Sequence, residues 1–142
     1  MGLVICKTKD QILKNFQIRL EVFNKEQNVP YELDIDLAEF NGEMFLYTNE
    51  CEEYVACARI IYEGDRVHLG RIAVLKEYRG KGYATKMILS IERIIQTLGI
   101  KEVYIEAQMS AKAFYEKLGY QSYGDVFMDA NMPHIYMRKY VL

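Results

Sequence analysis

Apolar positions along this chain change spacing from segment to segment, and each change marks an element. Leu3–Lys7 is a short apolar run that reads as a strand. From Asp10, placed to cap a first turn, Ile12, Leu13, Phe16, Leu20 and Phe23 recur at helical spacing, and this helix should end before Pro30. Residues 31–41 are acidic and irregular. Met44–Thr48 and Tyr54–Ile61 follow as strands rich in aromatic or β-branched residues. Glu63-Gly64-Asp65 supplies a hairpin turn into a strand at Arg66–Val74. Between Gly82 and Leu98 the residues Ala84, Ile88, Ile91, Ile95 and Leu98 fall on one helical face, and Gly99 closes the helix. Val103–Ala107 reads as an interior strand, and Ser110 is placed to cap a short helix running to Leu118 and stopping at Gly119. Tyr120–Phe127 and Ile135–Val141 are the last strands. The predicted order, β-α-β-β-β-α-β-α-β-β, describes an α+β fold in which helices flank a mixed central β-sheet.

With 142 residues, about half of them apolar, the chain suits one domain with one core, and residues 1–142 are read as that single domain. Its formal net charge of −2 gives no overall field that would draw it to nucleic acid or an anionic membrane. The distribution is more telling. Residues 71–86 carry Arg71, Lys76, Arg79, Lys81 and Lys86 against Glu77 alone. Residues 20–53 carry Glu21, Glu26, Glu32, Asp34, Asp36, Glu39, Glu43, Glu50, Glu52 and Glu53 against Lys25 alone. One segment suits an anion and the other a cation. Cys6, Cys51 and Cys57 make no CxxC pair, Cys57 sits in an apolar run expected to be core, and no window approaches a membrane span. A cytoplasmic protein with reduced thiols and no metal is expected, with neither nucleic acid nor membrane as partner.

The basic segment contains the most specific local signal. Tyr78-Arg79-Gly80-Lys81-Gly82-Tyr83-Ala84 is a glycine-rich bend between a strand and a helix start. Free N–H groups and the helix dipole at such a start bind anions. Gly80 and Gly82 allow close approach of the backbone, and Arg79 and Lys81 add charge. The spacing is neither GxxxxGK[ST] nor the three-glycine dinucleotide pattern, so a P-loop and a Rossmann turn are both excluded.

Arg79-x-x-Gly82-x-Ala84 resembles the Arg/Gln-x-x-Gly-x-Gly/Ala signature of the GNAT N-acetyltransferase superfamily. Ala111-Lys112-Ala113-Phe114-Tyr115-Glu116-Lys117-Leu118-Gly119-Tyr120 is similar to that family's A-x-x-F-Y-x-K-x-G-F/Y helix. The opening Arg19-x-x-Val22-Phe23-x-x-Glu26-Gln27-x-Val29-Pro30, and the closing Gly124-Asp125-Val126-Phe127 and Met132-Pro133-His134, resemble the ElaA-like and YjcF-like branch. The resemblance implies a GNAT-type sheet and an acetyl-CoA-dependent N-acetyltransferase that acts on a primary amine of a small molecule, by direct attack in a ternary complex. It also implies contacts to the coenzyme from Ile72, Ala73, Val74, Arg79, Gly80, Lys81, Gly82, Tyr83, Ala84, Thr85 and Gln108. Relatives are often dimers, so a homodimer is among the expectations.

For catalysis the resemblance implies a bulged strand at Arg71–Val74, where a backbone N–H near Ile72 or Val74 would stabilise the oxyanion. Tyr115 matches the family's general acid, or packs as one of twelve tyrosines. His134 matches a position that serves as base in a related enzyme, or is a structural histidine. His68 reads as an ordinary strand residue. Arg19 and Arg71 are candidates for binding an acceptor carboxylate, or for ion pairs with nearby acids. The acidic span 20–53 is expected to form a lid that attracts a cationic amine through Glu32, Asp34 and Asp36. The alternative class is a non-catalytic acyl-CoA-binding sensor or regulatory module.

Overall fold

Strand β1 (Gly2–Ile5) and helix α1 (Lys9–Arg19) open the chain in the computed structural model, which describes residues 2–141. Thr8, and not Asp10, caps α1. Its hydroxyl accepts from the Gln11 amide while the Gln11 side chain accepts from the Thr8 amide, so a reciprocal box satisfies donors at both ends of the first turn. Past Arg19 the helix widens into π turns over Leu20–Glu26. It ends where Asn28 takes φ 59° and the Asn24 amide donates to the Val29 carbonyl, just ahead of Pro30.

The stretch expected to be irregular contains a turn of helix α2 (Tyr31–Asp34) and a 3₁₀ turn (Leu37–Asn41) that Asp36 caps through the Ala38 amide. Strands β2 (Gly42–Thr48), β3 (Tyr54–Glu63) and β4 (Arg66–Val74) then pair as an antiparallel meander. Helix α3 (Tyr83–Thr97) returns the chain to β5 (Glu102–Gln108), which lies parallel to β4. Ser110 falls in a 3₁₀ turn, so helix α4 (Lys112–Lys117) starts without the expected side-chain cap. Strands β6 (Gln121–Asp129) and β7 (Met132–Tyr140) close a hairpin whose two turn residues, Ala130 and Asn131, both have positive φ.

The result is one seven-stranded mixed sheet in the order β1-β2-β3-β4-β5-β7-β6, with the element order expected from the apolar spacing apart from the added turn of α2. Met87, Ile88, Ile91 and Ile95 of α3 are buried against Val67, Leu69, Val103, Ile105 and Met137 on one face. On the other face α1 and the π turns bury Ile18 and Val22 against Leu46, Cys57 and Ala73. Burying side chains of this size contributes about 1.5–3 kcal/mol each. Helix α1 covers β2–β4 only. The same face of β5–β7 carries Tyr104, Glu106, Gln108, His134 and Tyr136, fixed there by the pairings Glu106–Tyr136 and Gln108–His134.

Two irregularities in β4 prepare a site. Cys57 pairs with Ala73 but Arg59 pairs with Gly70, so Arg71 and Ile72 together oppose Ala58 in a bulge, with Arg71 in the left-handed region at φ 51°. The bulge reverses the side-chain alternation, which lets Leu69 and Ile72 face α3 while Ala73 faces α1. The β4–β5 pairing also stops at His68–Tyr104, and beyond that point the two strands separate.

Arg19 corrects the expectation of an acceptor-binding role. It is fully buried, with Nε 3.1 Å from Asp34, Nη2 2.6 Å from Glu39, and a further bond to the Asp34 carbonyl at 2.7 Å. Arg59 reaches Asp36 at 2.9 Å and Glu39 at 2.6 Å. Arg71 reaches Asp34 at 2.9 Å and Asp36 at 3.4 Å. Three arginines on α1, β3 and the β4 bulge therefore hold three acids of the 31–41 segment. Asp34 is buried and Asp36, though partly exposed, is held by Arg59 and Arg71, so the attraction for a cationic amine assigned to them is corrected as well.

Removing Arg19 leaves buried Asp34 and Glu39 each with one guanidinium in place of two, and Arg19→Ala should cost about 3–5 kcal/mol in urea unfolding. Thr8→Ala removes only a cap and should cost about 1 kcal/mol. Equal midpoints for these two variants would contradict the central place given to Arg19.

Candidate active site

The glycine bend takes the shape an anion site needs. After a 3₁₀ turn (Lys76–Tyr78), Gly80 and Gly82 adopt φ 77° and 81°, and no heavy atom lies within 4 Å of where a Cβ would stand on either. Gly82 is the N-cap of α3, and the first in-helix donor is Lys86, to the Gly82 carbonyl at 3.1 Å. The earlier N–H groups of α3 have no intrahelical acceptor and point out of the helix start. A cleft of about 440 Å³ lies over this bend. Ile72, Ala73, Val74, Arg79, Gly80, Gly82, Tyr83, Ala84 and Thr85 all line it, with Val22, Gln27, Tyr78 and Phe114. Lys81 does not line it, and its ammonium lies 5.8 Å from the centre of the Tyr78 ring.

Arg79 already holds an anion. Its two terminal nitrogens bind both oxygens of Glu26 at 2.9 and 2.8 Å, and its Nε donates to the Val74 carbonyl at 2.9 Å. A bidentate carboxylate contact of this kind is geometrically what a phosphate would make.

A second cleft, of about 290 Å³, opens on the other side of the separated strands. Arg71, Ile72, Gln108, Tyr115 and His134 line it, and Arg19 does not. Ile72 and Gln27 belong to both clefts, and the Gln108 amide donates to Gln27 at 3.0 Å across their junction. Gln108 thus lines the second cleft and not the one over the glycine bend.

His134 is 6% exposed and stacks on Phe127, with ring centres 5.8 Å apart. Its Nδ1 lies 2.8 Å from the Met132 carbonyl, an oxygen that only accepts. In the neutral ring Nδ1 therefore carries the proton, and the lone pair falls on Nε2, which has no partner among the described residues. Tyr115 is 8% exposed on α4, between Phe114 and Tyr120. Its hydroxyl likewise has no partner among the described residues, and burial raises its pKa above the ordinary phenol value. The site thus pairs a proton acceptor with a group that stays a protonated donor at neutral pH.

Several lining residues escape the sequence reading. Glu106 interrupts the apolar run of β5, which is the signal that could have exposed it, because an acid in an interior strand needs a reason. Asp129 and Gln27 carry no comparable signal. Arg59 looks like any strand residue until the acids of the 31–41 segment close on it.

The acetyltransferase (GNAT) domain family matches residues 7–141. The uncharacterised N-acetyltransferase YjcF of Bacillus subtilis strain 168 is 35% identical over 140 residues, covering 98% of this chain and 99% of that protein. The protein ElaA of Escherichia coli K12 is 30% identical over 137 residues, covering 93% of this chain and 89% of its own. The crystal structure of Escherichia coli ElaA superposes with a TM-score of 0.85 at 27% identity, over 98% of this chain and 99% of that one.

His68 is a strand residue of β4, as expected, but it is also part of the second cleft's wall, stacked on Tyr104 with centres 4.6 Å apart and planes 9° from parallel. Burial, with the charges of Arg59, Arg71 and Arg66 against that of Glu63, lowers its pKa to about 4. The unfolded chain binds a proton near pH 6.5 and the folded one does not. Stability is therefore complete above that value and falls as pH drops toward 4. An NMR titration should leave the His68 ring shifts flat to about pH 5, and His68→Phe should lessen the acid loss of stability. A ring that titrates near its ordinary value would refute this.

Proposed function

Because the chain belongs to the acetyltransferase (GNAT) family, within its ElaA/YjcF-like branch, we propose that it transfers the acetyl group of acetyl-CoA to a primary amine of a small molecule, by direct attack in a ternary complex. Acyl transfer is the activity of the family. The observation that carries the finer reading is the junction at Ile72 and Gln27, where an anion-binding cleft opens into one holding a proton acceptor and a proton donor. An acyl donor and an acceptor bound in these two clefts meet there, so the gain is one of proximity and orientation.

Each residue then has one task. The N–H groups from Gly80 to Thr85 bind the pyrophosphate at the α3 start, and Arg79 exchanges Glu26 for it. Past His68, β4 has no paired neighbour on the β5 side, so its backbone from Ile72 to Val74 is free to pair with the extended arm of the coenzyme. His134 Nε2 takes one proton from the ammonium acceptor and passes it to solvent. The freed amine attacks the thioester carbonyl carbon, and a β4 N–H near Ile72 or Val74 stabilises the oxyanion. As the carbon–sulfur bond breaks, the Tyr115 hydroxyl protonates the departing thiolate and is restored by the second proton of the attacking nitrogen. The products are an amide and free coenzyme A, with one proton released.

In a thiol-release assay with acetyl-CoA and a panel of amines, Tyr115→Phe and His134→Ala should each lower kcat by roughly 10²–10⁴ and still bind coenzyme A. Thiol release from no amine, with coenzyme binding intact, would favour a binding module instead. In calorimetry, Glu26→Gln should tighten coenzyme A binding by up to about fivefold, because Arg79 loses its internal anion. Weaker binding would count against the assignment of Arg79.

A further inference from the structure

The acids lining the second cleft fall into two groups. Asp34 is spent on Arg19 and Arg71. Glu106 on β5 and Asp129 at the end of β6 line the same cleft and form no ion pair among the described residues. Across the cleft, Arg71 is held by Asp34, Asp36 and the carbonyls of Leu33 and Asp34. Its charge is mostly answered there and reaches Glu106 only at longer range, which leaves Glu106 and Asp129 as the charges of the wall without an ion pair among the described residues.

Beside these two carboxylates lies an aromatic surface. Tyr136 is directly opposite Glu106 in the β5–β7 pairing, and Phe127 stacks on it at 4.7 Å and 29°. Burial raises the Tyr136 phenol, and the charges of Glu106 and Asp129 add to that shift, so both acids act on this ring. Burial, followed by the charge of Asp129, also raises Glu106. A carboxylate raised by burial and by a neighbouring acid, beside an aromatic face, is what an organic cation stabilises.

His134 Nε2 and the Tyr115 hydroxyl, which also lack partners among the described residues, belong to side chains more than nine-tenths buried. They serve the reacting nitrogen in the function proposed above. His134 is level with Gln108 at the junction, with Glu106 two strand positions further from it on one side and Asp129, opposite Met132, two positions away on the other. Two positions are about 7 Å, roughly the nitrogen-to-nitrogen span of an extended four- or five-carbon diamine.

We propose that the acceptor is an aliphatic diamine, with one amino group delivered to His134 and Tyr115 and the other held as an ammonium by Glu106, the charge of Asp129 adding to the attraction. This deepens the acetyltransferase reading and rests on it for the first nitrogen only. An acceptor carrying a carboxylate at its far end would meet two charges of its own sign.

The test compares 1,4-diaminobutane and 1,5-diaminopentane with n-butylamine and 4-aminobutanoate in the acetyl-CoA thiol-release assay. The diamines should exceed n-butylamine in kcat/KM by at least tenfold, with 4-aminobutanoate lowest. In Glu106→Gln and Asp129→Asn the ratio of diamine to monoamine should fall toward one, a comparison made within each variant and so insensitive to its folded fraction. Calorimetric titration of 1,4-diaminobutane into the coenzyme A-saturated protein reads the same site without turnover, and its heat should be lost in both variants. Diamine and monoamine bound or turned over alike, or diamine binding unchanged in both variants, would overturn the proposal. Selective, Glu106-dependent diamine binding with no thiol release from any amine would uphold the ammonium site and overturn the transfer reading.

Discussion

The active-site half of this protein hangs on one buried cluster of ion pairs. Arg19, Arg59 and Arg71 come from three different elements, and Asp34, Asp36 and Glu39 come from one short segment with little apolar surface to bury. Residues 31–41 expose Tyr31, Leu33, Leu37 and Phe40, so burial of apolar area cannot hold the segment down. The arginines do. Once charges are taken out of water, only complete pairing makes the arrangement tolerable, and each acid here meets two guanidinium groups. The segment is therefore fixed in one place, and Leu33 and Asp34 become part of the wall of a cleft.

The same cluster explains why the β4 bulge persists. A non-glycine residue in the left-handed region carries a conformational cost of order 1–3 kcal/mol and lasts only where its surroundings over-determine it. Arg71 is over-determined by two carboxylates and two carbonyls. The bulge in turn shifts the alternation of β4 so that Ile72 reaches the junction of the two clefts. Beyond it the strand runs on without a β5 partner and stays parallel in direction to a neighbour it no longer touches. An unpaired sheet edge inside a protein is ordinarily a liability. Here it faces a cleft, where an extended ligand can complete the ladder.

Most of the fold was legible because its elements are set by local patterns. The α3 stripe, the Gly99 stop and the succession of strands along the chain each follow from spacing and turn chemistry, and the glycine bend announces its own conformation. What could not be read depends on contacts between distant residues. Arg19 is forty residues from Arg59 in sequence, and nothing local separates a buried ion pair from an exposed arginine awaiting a carboxylate. His68 looks like a strand residue because it is one, and only the stacking on Tyr104 and the surrounding arginines make its ring abnormal. The Thr8 cap was missed for a smaller reason. Thr8 and Asp10 are both good caps, and the Gln11 side chain decides between them.

Charge shows most clearly how a correct pattern can lead to a wrong residue. The acidic span and the basic span are both real, yet the fold spends much of each on the other, through Arg71 with Asp34 and Asp36, and Arg79 with Glu26. A charge that is already answered cannot recruit a ligand unless the ligand displaces its partner. That condition separates the two ends of the site. Arg79 and Glu26 meet at a partly exposed surface, where exchange costs little. Asp34 and Arg19 meet in the interior, where breaking the pair would strand both charges. The charges left over for binding are therefore not the most numerous ones in the sequence but those, such as Glu106 and Asp129, that the fold has brought to a cleft without giving them a partner.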